Sequence, residues 1–291
     1  MSQAPPILVT GVPRSGTTWL ARLLACAPGT ALAGREPMNP RGRQYALGGS
    51  LHGWSRLTQP TARQRRALSL AYRGLNPLVY SRYGTRQWAA PLPGTRLVVK
   101  DPFALLSIPT IARTTGAATV LVYRHPGAVL ASYRRMGWTP DTSELQGIIT
   151  RARRDGVATP ADLPPHGSIG PAEEMGHFWA ALHDLALTDI AASDCDVVVL
   201  SHERLASGGS PLGRALMQRL GLPWTEEMQS ELNKESSAAV DATHLHNFDR
   251  APAEVAQAWR SGLTEAEIDG IEAVTATTHA RLDALSITAD P

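Results

Sequence analysis

The segment Ile7-Leu8-Val9-Thr10-Gly11-Val12-Pro13-Arg14-Ser15-Gly16-Thr17-Thr18-Trp19-Leu20 constrains the fold more than any other part of this chain. A short apolar run reads as a buried strand, the glycines mark a tight loop, and a helix begins at Thr17. That order is the layout that cradles a phosphate or a phosphate-like anion. Gly11 and Gly16 have the spacing of a Walker A loop, and Thr18 stands where that motif wants Ser or Thr. The position that should be Lys is Thr17, and the nearest positive charge is Arg14, inside the loop. A nucleotide kinase relies on that Lys, so this loop is expected to hold a phosphate-like group without ordinary ATP chemistry. The amides of residues 14 to 18 can form an anion-binding nest at the positive end of the helix dipole. Arg14, Ser15, Thr17 and Thr18 add side-chain donors. The plain alternative is a strand-turn-helix in which a Thr is the N-cap.

Three further segments carry chemistry. Thr119 to Tyr123 is rich in β-branched residues and reads as a buried strand. It ends in Arg124-His125-Pro126-Gly127, and a helix runs on from Ala128 through Ser132 to Arg135. Ligands bind at the carboxyl ends of parallel strands in open α/β sheets, where Arg124 falls. A guanidinium and a hydroxyl suit a phosphomonoester, each charge-assisted bond being worth roughly 1.5–3 kcal/mol. Arg124 alone also reads as a helix-start arginine paired with an acid. Leu97 to Lys100 is another strand, ending in Lys100, and Lys-Asp-Pro-Phe spans 100 to 103. Alone, Lys100 reads as a lysine snorkelling from a strand end. Gly34-Arg35-Glu36-Pro37 follows a short apolar stretch, and Glu36 alone reads as a turn acid paired with Arg35 or Arg14.

Together these segments resemble the sulfotransferases that use 3'-phosphoadenosine-5'-phosphosulfate (PAPS). Pro13-Arg14-Ser15-Gly16-Thr17-Thr18-Trp19 is similar to their 5'-phosphosulfate loop, in the Pro-Arg-Ser-Gly-Thr-Thr form of the tyrosylprotein members. The resemblance implies that Arg14, Ser15, Gly16, Thr17 and Thr18 hold the 5'-phosphosulfate and that Trp19 stacks on adenine. Arg124 and Ser132 correspond to the 3'-phosphate motif, Arg-Asp-Pro followed by a Ser, with His125 in place of the Asp. Lys100 corresponds to a Lys that faces the transferring group. Glu36 corresponds to the base of the carbohydrate and tyrosylprotein members. Ser201-His202-Glu203-Arg204-Leu205 looks like the family's Tyr-Glu-x-Leu, and His202 reads either as a cofactor contact or as a surface histidine. The Arg-Lys-Gly-x-x-Gly segment of the cytosolic members is absent.

Strand and helix alternate along the chain, which predicts an α/β fold of the P-loop type, three layers with a central, mainly parallel sheet flanked by helices. The 291 residues, 43% hydrophobic, suit a single domain over 1–291. Two regions read as insertions that build the acceptor site, 37–95 and a loop-rich stretch at 138–170. Between Glu36 and Asp101 the chain has no acidic residue and ten arginines, Arg41 and Arg43 among them, with Tyr45, Trp54, Tyr72, Tyr80, Tyr83 and Trp88 interspersed. This reads as a basic, aromatic acceptor region or as a solvated arginine face. No nucleic-acid-binding signature accompanies it. Two cysteines make no disulfide framework or metal set. With no signal pattern and no apolar run near ~18 residues, a cytoplasmic protein is expected.

The expected reaction is in-line sulfuryl transfer to a hydroxyl of a carbohydrate, glycolipid, phenol or natural product, without a metal. The catalytic residues expected are Glu36, Arg14 and Lys100, with His52 and His177 as the next candidates for the base. The alternatives are a divergent P-loop kinase using ATP and Mg²⁺, and a non-catalytic anion-binding module.

Overall fold

The computed structural model describes residues 4–40, 45–51, 53–234 and 251–289. Arg41, Arg43 and His52 lie outside the described residues. Five strands form one sheet: β1 (Ile7–Thr10), β2 (Thr30–Ala33), β3 (Arg96–Lys100), β4 (Ala118–Tyr123) and β5 (Val197–Ser201). Their order is β2-β3-β1-β4-β5, and every pairing is parallel. The helices are α1 (Thr17–Leu24), α2 (Ala62–Tyr72), α3 (Ile108–Thr115), α4 (Pro126–Arg135), α5 (Thr142–Arg154), α6 (Pro171–Ala191), α7 (His202–Leu220), α8 (Glu226–Leu232), α9 (Pro252–Gln257) and α10 (Glu265–Leu285). The α/β expectation is met.

Successive strand side chains point to opposite faces, and the sheet's apolar residues sort accordingly. Ile7, Val9, Val98, Val120 and Val122 join Leu20, Leu24, Leu205 and Leu216 in the core under α1 and α7. Leu8, Leu97, Val99, Leu121 and Tyr123 join Leu105, Ile111, Trp179 and Leu182 in the core under α3 and α6. Two cores on one two-sided sheet give the three layers. Both edges are covered: Leu32 of β2 donates its N–H to Thr85, and Ile287 donates to Val199 of β5.

β1 has β3 on one side and β4 on the other, so the chain reverses its winding direction around β1. Loops after β1 and β4 therefore diverge and leave a crevice at the carboxyl end of the sheet. Gly11 opens the loop after β1 under tight packing: a Cβ there would lie 2.0 Å from the carbonyl oxygen of Val122.

The structure differs from the sequence reading in two stretches. The loop-rich insertion contains the helix α5, capped by Asp141 and burying Leu145, Ile149 and Ala152. Pro211–Leu220 reads from sequence as a helix of its own; in the structure it is the second half of α7, which starts at His202 and breaks at Gly209. Among the described residues, no helix is long and apolar enough to cross a membrane.

Two histidines are locked into the packing. His125 is the N-cap of α4: its Nδ1 accepts the Gly127 N–H at 3.2 Å, and its ring stacks on Trp259 at 4.3 Å. His183 is wholly buried in α6 beside Trp179. Burial pushes each imidazole down to about 4 from its ordinary 6.5. Each is neutral in the folded chain above about pH 4, whereas the unfolded chain takes up the proton below about 6.5. The unfolded state therefore binds more protons across that window, and these groups make stability rise with pH through it, by about 3 kcal/mol each. His125→Asn keeps a cap acceptor and is expected to flatten the pH dependence, measured as urea unfolding at about pH 4.5 and about pH 7. Gly11→Ala is expected to cost about 2–3 kcal/mol, seen as a lower urea midpoint with an unchanged slope.

Candidate active site at the carboxyl ends of the strands

The loop after β1 has the conformation that an anion site needs. Arg14 and Gly16 both take left-handed backbone angles, φ 75° and 89°, on either side of Ser15. Gly16 is the N-cap of α1 and no side chain caps that helix, a kind of helix start that can take an anion. Ser15 stands apart from the other loop residues. Its N–H bonds Val12 O at 3.0 Å, and its hydroxyl is wholly buried, outside the pocket. Arg14 turns across the crevice, and its Nε donates to Ser132 Oγ of α4 at 2.9 Å. Burial and the nearby Arg135 charge lower its pKa.

Arg124, at the end of β4, is only 6% exposed. Its Nη2 donates to Val255 O at 2.8 Å, its Nη1 reaches Arg14 O at 3.4 Å, and its Nε lies 4.0 Å from Glu203 Oε1. Glu203 also accepts the His125 N–H at 2.9 Å. The acid absent from position 125 is thus supplied by the first turn of α7, and His125 is freed to cap α4. Burial raises the Glu203 carboxyl, and the hydrogen bond from His125 opposes that rise.

Glu36 and Lys100 meet between the ends of β2 and β3. Lys100 Nζ donates to Glu36 Oε1, and Asn39 Nδ2 donates to Oε2. Both side chains are nearly covered, at 10% and 14% exposure. The wholly buried Asp101 holds this corner: it accepts the Met38 N–H at 2.6 Å and the Phe103 N–H at 3.1 Å. Burial, with the Glu36 charge beside it, pushes its carboxyl well up. Its role was open to sequence reading, since Asp before Pro after a strand signals a helical turn start.

One pocket of about 890 Å³ is lined by Arg14, Gly16, Thr17, Thr18, Trp19, Glu36, Lys100, Arg124 and Ser132. His177 is not among its residues. His202 is, and it is buried rather than on the surface. A Cβ on Gly16 would lie 2.3 Å from its ring, which meets Trp19 edge-on at 5.4 Å. Burial and the Arg124 charge push its pKa well below 6.5, so it sits neutral against the loop.

Away from the loop the pocket turns aromatic. Tyr45, Trp54, Tyr83, Phe103, Tyr133, Trp138 and Phe178 line it. Trp54 packs on Phe103 at 4.9 Å and on Phe178 at 6.1 Å. Glu144 of α5 fixes Trp54 by accepting its N–H at 3.1 Å. The arginines between Glu36 and Asp101 divide. Arg56 makes a two-pronged bond to Asp189, and the buried Arg96 reaches carbonyls of Pro5 and Leu220, so both are structural. Arg63, Arg65, Arg66, Arg73, Arg82 and Arg86 are exposed, and none lines the pocket.

The profile of the sulfotransferase family matches residues 5–226. No curated protein matches the chain in sequence. Among solved structures, the sulfotransferase domain from the curacin biosynthetic pathway is 16% identical, with a TM-score of 0.50 over 94% of this chain and 99% of that one. The mouse sulfotransferase SULT7A1 complexed with PAP is 14% identical, with a TM-score of 0.45 over 97% and 86%. The sulfotransferase from Alicyclobacillus acidocaldarius is 16% identical, with a TM-score of 0.43 over 98% and 96%. At such identities the likeness speaks only for the fold, and of these three only the first carries that weight. With the family profile covering residues 5–226, this chain belongs to the sulfotransferase family.

Proposed function

We propose that the chain transfers a sulfuryl group from PAPS to an acceptor hydroxyl, and that it works as one domain. The observation that carries this reading is the pair of anion-receptive groups in one pocket: the uncapped start of α1, and the buried Arg124 with Ser132. A nucleotide with phosphates at both 5' and 3' positions matches two such groups. The loop amides, Thr17 and Thr18 would hold the 5' end, with Arg14 over it. Arg124 and Ser132 would hold the 3'-phosphate, and Trp19 would lie along the adenine.

When bound, PAPS supplies the sulfuryl group and leaves as adenosine 3',5'-bisphosphate. The acceptor oxygen–sulfur bond forms as the bond from sulfur to the phosphate oxygen breaks, and the acceptor proton passes to Glu36. Lys100 and Arg14 meet the negative charge that develops on the leaving and sulfuryl oxygens, and fixed donors of this kind act at no reorganisation cost. Lys100 and Asn39 aim the Glu36 carboxylate, and Asp101 anchors the backbone that carries it. The acceptor is a hydroxyl of a carbohydrate, glycolipid or natural product. It lies against the aromatic faces that the insertions at 37–95 and 138–170 bring to the pocket. Both cysteines are free thiols, in keeping with a reducing, cytoplasmic setting. The kinase reading is disfavoured by the family to which the chain belongs and by Thr17 in the lysine position.

Calorimetric titration tests the donor. Adenosine 3',5'-bisphosphate is expected to bind in the presence of chelator, and Arg124→Ala to weaken it roughly 10- to 100-fold. Binding of ATP with Mg²⁺ alone would overturn the reading. Glu36→Gln is expected to lower turnover about 10²- to 10⁴-fold with bisphosphate affinity nearly unchanged. Normal turnover in that variant would remove Glu36 from the base role.

A further inference from the structure

Four of the five exposed large hydrophobic side chains among the described residues fall within one short segment: Leu75 (53% exposed), Leu78 (56%), Trp88 (75%) and Leu92 (47%). The segment folds back on itself. A Cβ on Gly74 would lie 2.6 Å from Ala90, which sets Leu75 beside the turn that carries Trp88 and Leu92. Tyr80 ties it to Gly74 O at 2.9 Å, and Arg86 ties it to Ala27 O at 3.0 Å. Backbone bonds from Arg35 to Val79 O and from Leu32 to Thr85 O fix it against the rim of the pocket. A large exposed indole and three exposed leucines on a fixed surface mark an interaction site.

The charge beside these residues says what the partner is. No acidic residue lies between Glu36 and Asp101. Arg73, Arg82 and Arg86 are exposed within and next to the apolar segment, and Arg63, Arg65 and Arg66 are exposed on α2 just before it. A second copy meeting this surface about a two-fold axis would set arginines against arginines. A nucleic acid would use the arginines but not the leucines. An anionic bilayer uses both: apolar side chains and Trp enter the headgroup boundary, and arginines meet the phosphates.

We propose that residues 73–92 dock the protein on an anionic lipid surface, with Trp88, Leu78, Leu75 and Leu92 inserted and Arg73 and Arg82 on the headgroups. Ser81 and Tyr83 of the same segment line the pocket, so the docking segment forms part of the pocket wall. A lipid-borne hydroxyl would reach Glu36 from that side. This last consequence rests on the proposed sulfotransfer, whereas the docking does not.

Co-sedimentation with vesicles tests the docking without any catalytic readout. The whole chain is expected to pellet with vesicles of phosphatidylcholine and phosphatidylglycerol in equal parts, to stay in solution with phosphatidylcholine alone, and to be released by salt. Arg73→Gln with Arg82→Gln should weaken binding roughly fivefold for each charge removed. Trp88→Ser with Leu78→Ser should abolish it. Circular dichroism and retained binding of adenosine 3',5'-bisphosphate would show that both variants are folded. Failure to pellet with anionic vesicles, equal pelleting with neutral ones, or unchanged binding by the two folded variants would overturn the proposal. So would a dimer in solution that Trp88→Ser with Leu78→Ser dissociates, because the surface would then belong to a second copy.

Discussion

The buried guanidinium of Arg124 is the constraint around which the functional end of this protein is built. A cation almost removed from water costs several kcal/mol unless other groups replace its hydration. Here three separate elements do so, and a fourth fixes the residue's backbone. The loop after β1 offers the Arg14 carbonyl, α9 offers that of Val255, and α7 offers the Glu203 carboxylate. The fourth, α6, fixes the residue's backbone through the Trp179 indole, which donates to Arg124 O at 3.0 Å. Partners from so many parts of the sequence explain why α9, far along the chain, is held against the first loop. The guanidinium also lines the pocket, where the proposed 3'-phosphate would meet it.

The residue after Arg124 stands where two demands meet, a cap for α4 and a counter-charge for the guanidinium. A carboxylate at that position would both cap α4 and balance Arg124. In this chain the two tasks are divided: the imidazole caps the helix, and Glu203 takes the charge. The division works because the cap asks only for a hydrogen-bond acceptor, which a neutral imidazole provides. It also requires that His125 stay unprotonated, and its burial under Trp259 has that effect.

What was legible in the sequence follows from the range of the interactions involved. The strands, the loop after β1 and α4 were readable because their signals are local: apolar runs, glycine spacing, a Pro at a helix start. α5 carries local signals too, Asp141 as N-cap with Leu145 and Ile149 one turn apart, but Pro140, Pro160, Pro164 and Pro165 on either side of it signal loop. His202 beside Glu203 and Arg204 reads either as a cofactor contact or as a surface histidine. Its burial against Gly16 depends on β5 delivering the start of α7 next to a loop almost two hundred residues earlier, which no local pattern encodes. The arginines between Glu36 and Asp101 were legible as a composition and not as roles. Only the fold distinguishes Arg56, engaged by Asp189, from Arg73 and Arg82 in solvent.

The two ends of the pocket are built by different means, and this bears on how specificity arises. The anion-receptive end stands on strand termini and helix starts of the central sheet, where backbone hydrogen bonding fixes positions. The aromatic end stands mostly on the insertions: Tyr45, Trp54 and Tyr83 from one, Trp138 from the other, with Phe103 and Phe178 from the core completing the wall. Insertions vary in length and composition without disturbing the sheet. An acceptor preference can therefore be rewritten there while the geometry around Arg124 and Lys100 stays fixed. Glu36 and Lys100 sit at the join of the two ends, held from below by Asp101, and in the proposed reaction the acceptor hydroxyl and the donor would meet at that join. Carrying Glu36 on the edge strand's loop, rather than within either end, keeps it in register with both.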